Sequence, residues 1–236
     1  YRFGEDSAIG RLARSVNEGN ARAAIAALGP PGTPGTPGTS EKSGDLEWLL
    51  DDPTDSDGSA FAGRVVEGLR PWLASIAAHS SGYDPDRPED EEAVAELFCH
   101  HNAFQVLCAL RRGDAGVEGL NTRIHAWLVR ERLLPVTGAS GRHAEWYAGR
   151  PVMVTRNDPQ LGLANGDMGL TLPVRLDDGQ TGLRVAFPAE AGAERRFHWV
   201  SPTRLPEAET AFALTVHKSQ GSEFTQVAMV MPERPN

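Results

Sequence analysis

The sequence predicts an α/β protein: a parallel sheet covered by helices, with a small β-rich unit inserted late in the chain. Three observations carry this. Compact apolar runs at Phe104 to Leu110, Ala211 to Val216 and Val227 to Met231 stand among segments with helical periodicity, the alternation expected of a parallel sheet with covering helices. Between Leu161 and Pro206 the texture changes to short β runs separated by turn residues. The first texture then returns at Thr210, so the small unit reads as an insertion into the larger one.

Taken in order, the elements follow from local pattern. Ile9, Leu12, Ala13 and Val16 recur at helical spacing, so the stretch to Leu28 reads as a short motif followed by a helix. Gly29 to Gly44 repeats Pro-Gly-Thr three times between Pro31 and Thr39. No apolar residue anchors it, and a disordered loop is expected. Asp51 to Gly58 is a second polar stretch. Helical patterns cover Leu46 to Leu50, Phe61 to Ala78 and Glu91 to Cys99, and Pro88 before four acidic residues suits a helix start. Gly113 to Gly119 forms a turn, Leu120 to Leu133 a helix, and Arg150 to Arg156 a further strand of the first texture.

In the small unit, Asn165-Gly166-Asp167 is a turn, Gly169 to Leu176 a strand and Asp177-Asp178-Gly179 a hairpin turn. Strands at Leu183 to Phe187 and Arg196 to Val200 complete a small barrel or hairpin excursion. The expected domains are 1–160 together with 207–236, and the insertion 161–206.

Composition narrows the class. The chain has 236 residues with 40% apolar and 7% aromatic content, an ordinary globular balance. No run approaches the roughly 18 apolar residues of a membrane span. The polar opening Tyr1-Arg2-Phe3-Gly4-Glu5-Asp6 is not a signal peptide, and a cytoplasmic location is expected. Cys99 and Cys108 lack zinc-ligand spacing and read as structural thiols in apolar surroundings. The net charge is −9, but residues 39–100 hold 15 acidic and 4 basic side chains. The rest is close to neutral, which removes an objection to a polyanionic partner without arguing for one.

One loop stands out. Thr215-Val-His-Lys-Ser-Gln-Gly-Ser-Glu-Phe224 lies between two apolar strands and carries seven hydrogen-bonding or charged side chains and one glycine. A core has no use for such a loop, whereas a site that touches phosphates does; the plain alternative is a polar surface turn. The string resembles motif V of superfamily 1 helicases, where one loop touches both nucleotide and single strand. Tyr1-Arg2-Phe3 followed by a helix resembles motif IV. Gln105 to Gly113 with Gly116 to Asn121, Trp146 to Asp158, Leu161 to Gly169, and Leu205 to Thr210 resemble the RecD family, the α subunits of exodeoxyribonuclease V (RecBCD). Only Gly29 to Pro88 falls outside the likeness.

The resemblance implies a RecA-like P-loop-NTPase-type second motor domain, a parallel sheet with helices on both faces, carrying an inserted SH3-like β-barrel. It also implies an ATP-driven 5′ to 3′ DNA helicase acting in double-strand-break repair and recombination. ATP and Mg²⁺ are shared with a first motor domain, single-stranded DNA is the track, and RecB-like and RecC-like subunits are the partners. No Gly-x-x-x-x-Gly-Lys-Ser/Thr occurs in the chain, and neither an acidic metal-holding strand nor the later arginine motif is recognisable. A fragment that does not turn over ATP alone is therefore expected.

Carried over residue by residue, Arg2 is the γ-phosphate contact or a surface ion-pair former. Tyr1 stacks near the base or closes a strand end. Gln220, Gly221 and Glu223 belong to the nucleotide side. Thr215, His217 and Ser219 face the single strand, and Lys218 either adds a phosphate contact or is solvated. Phe224 reads as core before a base-stacking platform. Arg156 and Asn157 either touch DNA or cap their strand, and Asn121 either touches DNA or caps its helix. Arg195, Arg196, Phe197, His198 and Trp199 either guide a single strand or build the small core. Asp177-Asp178 and Glu91-Glu92 read as a turn and a solvated helix start, with no metal expected. Two other readings compete with the motor half: a non-catalytic module docking to partners through the acidic 39–100 region, and part of a stand-alone RecD-like helicase.

Overall fold

The computed structural model describes residues 7–29, 46–49, 52–54, 59–79, 81–135, 146–190 and 192–231. They fall into two units, Tyr1–Gly63 and Arg64–Asn236. The first contains α1 (Ala8–Asn17) and α2 (Ala21–Leu28), where the sequence pattern suggested one helix. Ser7 starts α1 by accepting from Gly10 N–H at 3.0 Å. Gly19, at φ +67°, breaks the run, and Asn20 restarts it by accepting from Ala23 N–H at 3.0 Å. Leu46–Leu49, expected to be helical, is not; four residues hold too few i→i−4 bonds to offset the nucleation cost. The low-complexity loop lies outside the described residues.

The second unit holds most of α3 (Ala60–Ala78), then α4 (Pro88–Asn102), β1 (Phe104–Cys108) and α5 (Val117–Arg130). They are followed by β2 (Pro151–Val154), β3 (Met168–Arg175), β4 (Thr181–Pro188) and β5 (Phe197–Val200). The last strands are β6 (Ala208–Thr210), β7 (Ala213–Thr215) and β8 (Gln226–Val230). Pro88 opens α4 with Glu89, Asp90 and Glu91 in its first turn, the expected charge order.

Two sheets organise this unit. A parallel one runs β7-β1-β8 and an antiparallel one β5-β4-β3-β2-β6. Here the strand at Arg150 to Arg156 is corrected: β2 pairs antiparallel with β3 and β6 and belongs to the second sheet. Its four consecutive buried residues lack the alternation that separates the two sheet types. The second sheet is a four-strand meander whose fifth strand returns beside the first, with a 3-10 turn at Pro202–Arg204 before it. Its end strands β5 and β6 do not pair, so the expected barrel is an open sheet. Val152, Val154, Val185, Phe187, Val200 and Leu205 share its core with Leu161 and Leu163.

In the parallel sheet, alternation points Phe104, Val106 and Cys108 to one face and Gln105 and Leu107 to the other. Gly68 of α3 lies so close to Phe104 that a Cβ there would come 2.4 Å from its ring. On the Leu107 face the antiparallel sheet closes in, with Leu107, Met153, Ala211 and Leu214 forming a buried cluster against Met168. α4 and the loop before it grip the small sheet by its far side. Tyr83 bridges Val174, Arg195 meets Asp86 at 2.6 Å, Arg196 N–H donates to Glu91 at 2.7 Å, and the Arg196 guanidinium pairs with Glu92. Part of the regional acidity is thus used within the fold. Cys108 is buried, whereas Cys99 is exposed, against the expectation of two apolar surroundings. Among the described residues no helix is long and apolar enough to cross a membrane.

His101 is 5% exposed and stands edge-on to Trp72 at 5.2 Å. Burial lowers its pKa from the ordinary 6.5 to about 4, although a hydrogen bond to Asn102 pulls the other way. The folded chain keeps this imidazole neutral while the unfolded chain protonates it below 6.5, so stability drains away as pH falls from 6.5 toward 4. Urea unfolding at pH 7 and pH 4.5 should show the wild type losing about 2 kcal/mol more than His101→Gln over that interval. Equal losses would show that His101 is not the titrating group.

Candidate functional site

In open sheets of parallel strands, ligands meet the carboxyl ends. β1 pairs in parallel with β7 and β8, so Cys108, Thr215 and Val230 end side by side. The Thr215–Phe224 loop leaves β7 at this edge, as a 3-10 turn over Val216–Ser219.

The chain entering that loop is held at three successive carbonyls. Gln105 Nε2 donates to Phe212 O at 3.0 Å, Asn121 Nδ2 to Ala213 O at 3.1 Å, and Cys108 Sγ to Leu214 O at 3.3 Å. Asn121 Oδ1 also accepts from Ala213 N–H at 3.0 Å. The amide of Asn121 therefore takes the place of a neighbouring strand along β7, and it donates to Val117 O of its own helix as well. Asn121 is 9% exposed, which settles its role as a buried anchor. Burial pushes the Cys108 thiol up to about 11, so it acts as a neutral donor.

Beyond Thr215 the loop opens. His217, Lys218, Gln220, Gly221 and Glu223 are exposed, and Thr215, Ser219 and Phe224 are half-buried. Ser219 Oγ donates to Val216 O at 2.9 Å, so its proton is engaged and its lone pairs remain. Gly221 sits at φ +86° with nothing within 4 Å of where a Cβ would be. The backbone conformation demands glycine there, and the open space lets a ligand approach the main chain.

The small sheet supplies the second half of this surface. Lys218 Nζ donates to Asn165 Oδ1 at 2.6 Å. Asn165 N–H in turn donates to Asn157 Oδ1 at 2.7 Å. Lys218 and Asn157, candidates far apart in sequence, are thereby joined through Asn165, with exposed Arg156 next to Asn157 in the chain. In sequence Asn165 is turn chemistry first, and nothing there links it to a lysine 53 positions later. A further tie runs from Arg111 to Glu209 at 3.0 Å. Tyr1 and Arg2 lie outside the described residues.

The basic and aromatic run of β5 is used differently. Phe197 is buried and stacks on Phe98 at 5.2 Å, while Arg195 and Arg196 are paired to carboxylates. A concavity of about 380 Å³ opens there between α4 and the β4–β5 hairpin. It contains no residue of the Thr215–Phe224 loop, and its guanidinium groups are already neutralised. Among the described residues, no three His, Cys, Asp or Glu side chains converge on a metal-sized site.

No protein-family model matches the chain. Curated proteins do. The RecBCD enzyme subunit RecD of Mycolicibacterium smegmatis (strain ATCC 700084 / mc(2)155) is 34% identical over 232 residues, covering 98% of this chain and 33% of that protein. The RecBCD enzyme subunit RecD of Haemophilus influenzae is 30% identical over 241 residues, covering 100% of this chain and 32% of that protein. The ATP-dependent RecD2 DNA helicase of Deinococcus radiodurans is 31% identical over 134 residues, covering 56% of this chain and 16% of that protein. A Bacteroides Pif1 helicase in complex with ADP-AlF3 and ssDNA overlaps 78% of this chain and 45% of that one, at 16% identity and a TM-score of 0.30; that overlap is too slight to argue from. The chain thus spans about a third of the RecD subunits it matches, and over its whole length it is homologous to them.

The Asn121 anchor can be tested directly. Asn121→Ala leaves the N–H and C=O of Ala213 without their side-chain partner and should lower unfolding free energy by about 2 kcal/mol in urea titrations. A change under about 0.5 kcal/mol would mean that water or another group replaces the amide.

Proposed function

We propose that this RecD-related chain is the second motor domain, with its small inserted sheet, of an ATP-dependent 5′ to 3′ DNA helicase of the RecD type. In that reading it works within a longer cytoplasmic protein, beside RecB-like and RecC-like subunits, in the repair and recombination of double-strand breaks. The observation that carries the reading is the position of the Thr215–Phe224 loop. It stands at the carboxyl ends of a parallel sheet, anchored behind by three side chains and tied in front to a second sheet through Lys218 and Asn165.

The roles divide along the loop. Gln220, Gly221 and Glu223 form its nucleotide side, and the exposed backbone at Gly221 fits close approach by a ribose or phosphate. Thr215, His217, Lys218 and Ser219, with Arg156 and Asn157 of the small sheet, form the single-strand side. A neutral His217 still donates one hydrogen bond to a phosphate oxygen. Ser219 would accept rather than donate, because its proton is given to Val216 O. By its likeness to motif IV, Arg2 is assigned the γ-phosphate contact, a role its planar fork suits, and Tyr1 a place near the base. In this reading magnesium and the β- and γ-phosphates are held by the first motor domain, because this sequence has no Gly-x-x-x-x-Gly-Lys-Ser/Thr string to cradle them. ATP supplies the energy for closure between two such domains, and this chain would alter its grip on the strand as the cleft closes.

Fluorescence anisotropy with an oligo-dT strand tests the single-strand side. The wild type should bind with salt-dependent affinity, and Lys218→Ala should flatten the log K against log salt slope by about 0.7, one phosphate contact on a single strand. His217→Ala with Ser219→Ala should weaken binding with little change of slope, the loss coming mainly from His217. Affinity and slope unchanged in both would remove the loop from the track.

A further inference from the structure

Lys218 is exposed and carries a flexible four-carbon stem, so in isolation it would be a mobile point charge. The structure fixes it. Its acceptor, Asn165 Oδ1, lies on a loop whose backbone is closed several times over. Gly166 N–H donates to Val154 O at 2.8 Å, Asp158 N–H to Leu163 O at 2.7 Å, and Leu163 N–H back to Asp158 O at 3.0 Å. Leu161 and Leu163 sink into the small-sheet core beneath it. Asn165 is thus presented rigidly from the small sheet toward the other sheet's loop.

The chemistry of the acceptor matters. An asparagine oxygen is neutral, so it orients the ammonium without cancelling its charge. Lys218 has three N–H donors and Asn165 takes one, leaving two for phosphate oxygens. Asn157 Oδ1 accepts from Asn165 N–H, which leaves its NH₂ as a second donor. The two carboxylates in this loop accept from the loop's own backbone. Asp158 Oδ1 accepts from the N–H groups of Gln160 and Leu161, and Asp167 Oδ2 from Ala164 N–H at 2.7 Å. A lysine ammonium and an asparagine amide are thus joined through Asn165, and one oxygen of each nearby carboxylate is engaged by the loop's own backbone.

We propose that Asn165 is a positioning residue that joins Lys218 and Asn157 into one phosphodiester-binding site spanning the two sheets. This rests on the reading of the Thr215–Phe224 loop as a single-strand track. In this arrangement the small sheet sets where the lysine stands, and a shift between the sheets changes the strand grip through one hydrogen bond.

The test uses the 236-residue chain, an oligo-dT strand and four variants: Lys218→Ala, Asn165→Ala, Asn165→Asp and the double alanine. Lys218→Ala should weaken binding about 10-fold at low salt. Asn165→Asp keeps the tie but pairs the ammonium, and should weaken binding nearly as much. Asn165→Ala frees the lysine and should cost about 3-fold, with a thermal midpoint close to wild type because both side chains are exposed. The double variant should be no worse than Lys218→Ala alone, the non-additivity expected of one shared interaction. If Lys218→Ala weakens binding while the Asn165 variants match wild type, or if the two losses add, the positioning role is overturned and the strand track stands. If neither Lys218→Ala nor His217→Ala with Ser219→Ala alters binding, the track reading itself fails.

Discussion

Everything at this surface depends on a small apolar seam. Leu107 and Leu214 from the parallel sheet, Met153 from the antiparallel sheet and Ala211 from the crossing between them are each at most 6% exposed and pack together. Burying a leucine or methionine side chain contributes about 1.5–3 kcal/mol, so the seam is strong enough to hold two sheets in a fixed relation. The chain crosses it in two residues, from Thr210 at the end of β6 to Ala213 at the start of β7. A polypeptide that changes sheets so abruptly has no slack, and the loop that follows must emerge at the junction. The position of the motif is thus a consequence of packing rather than of the motif's own residues.

Polar contacts across the junction set alignment more than strength. Arg111 and Glu209 are well exposed, and such pairs contribute little to stability. The bonds made by Gln105, Asn121 and Cys108 differ because they are buried, where losing a partner costs more than the bond contributes. Together they make the approach to the loop stiff and leave its tip polar and open, the combination a recurrent ligand grip requires. On the far side of the small sheet, Asp86 in the loop before α4 holds Arg195, and Glu91 and Glu92 at the start of α4 hold Arg196. The carboxylates that give residues 39–100 their excess charge are therefore partly internal partners of a basic hairpin, which weakens the case for that segment as a docking surface.

Much of this was legible in the sequence. The apolar runs around Phe104 and Ala211 became strands of the parallel sheet because short, fully apolar runs bounded by turn residues are what buried strands look like; the run around Val227 joined them as β8, a mostly exposed strand at the end of the described sheet order. The hairpin turn at Asp177–Gly179 and the turn at Asn165–Asp167 followed from residue type. Pro151–Val154 went to the wrong sheet because four apolar residues in a row carry no period to say which partner they pair with. Leu46–Leu49 looked helical from composition but is too short to hold a helix. The pairing of Lys218 with Asn165 could not be read at all, since it exists only once two sheets have met. Asn121 was ambiguous for a similar reason: an asparagine in a helix shows its purpose only when the strand it completes is in place.

In the proposed function, the Thr215–Phe224 loop and the 155–167 loop act as one surface for a single strand. Hydrogen–deuterium exchange of the whole chain, with and without saturating oligo-dT, tests it most directly. Amides in both loops should gain protection together at the same DNA concentration, while those of the β4–β5 hairpin stay unchanged. Protection of one loop without the other, or protection confined to the concavity beside α4, would contradict it.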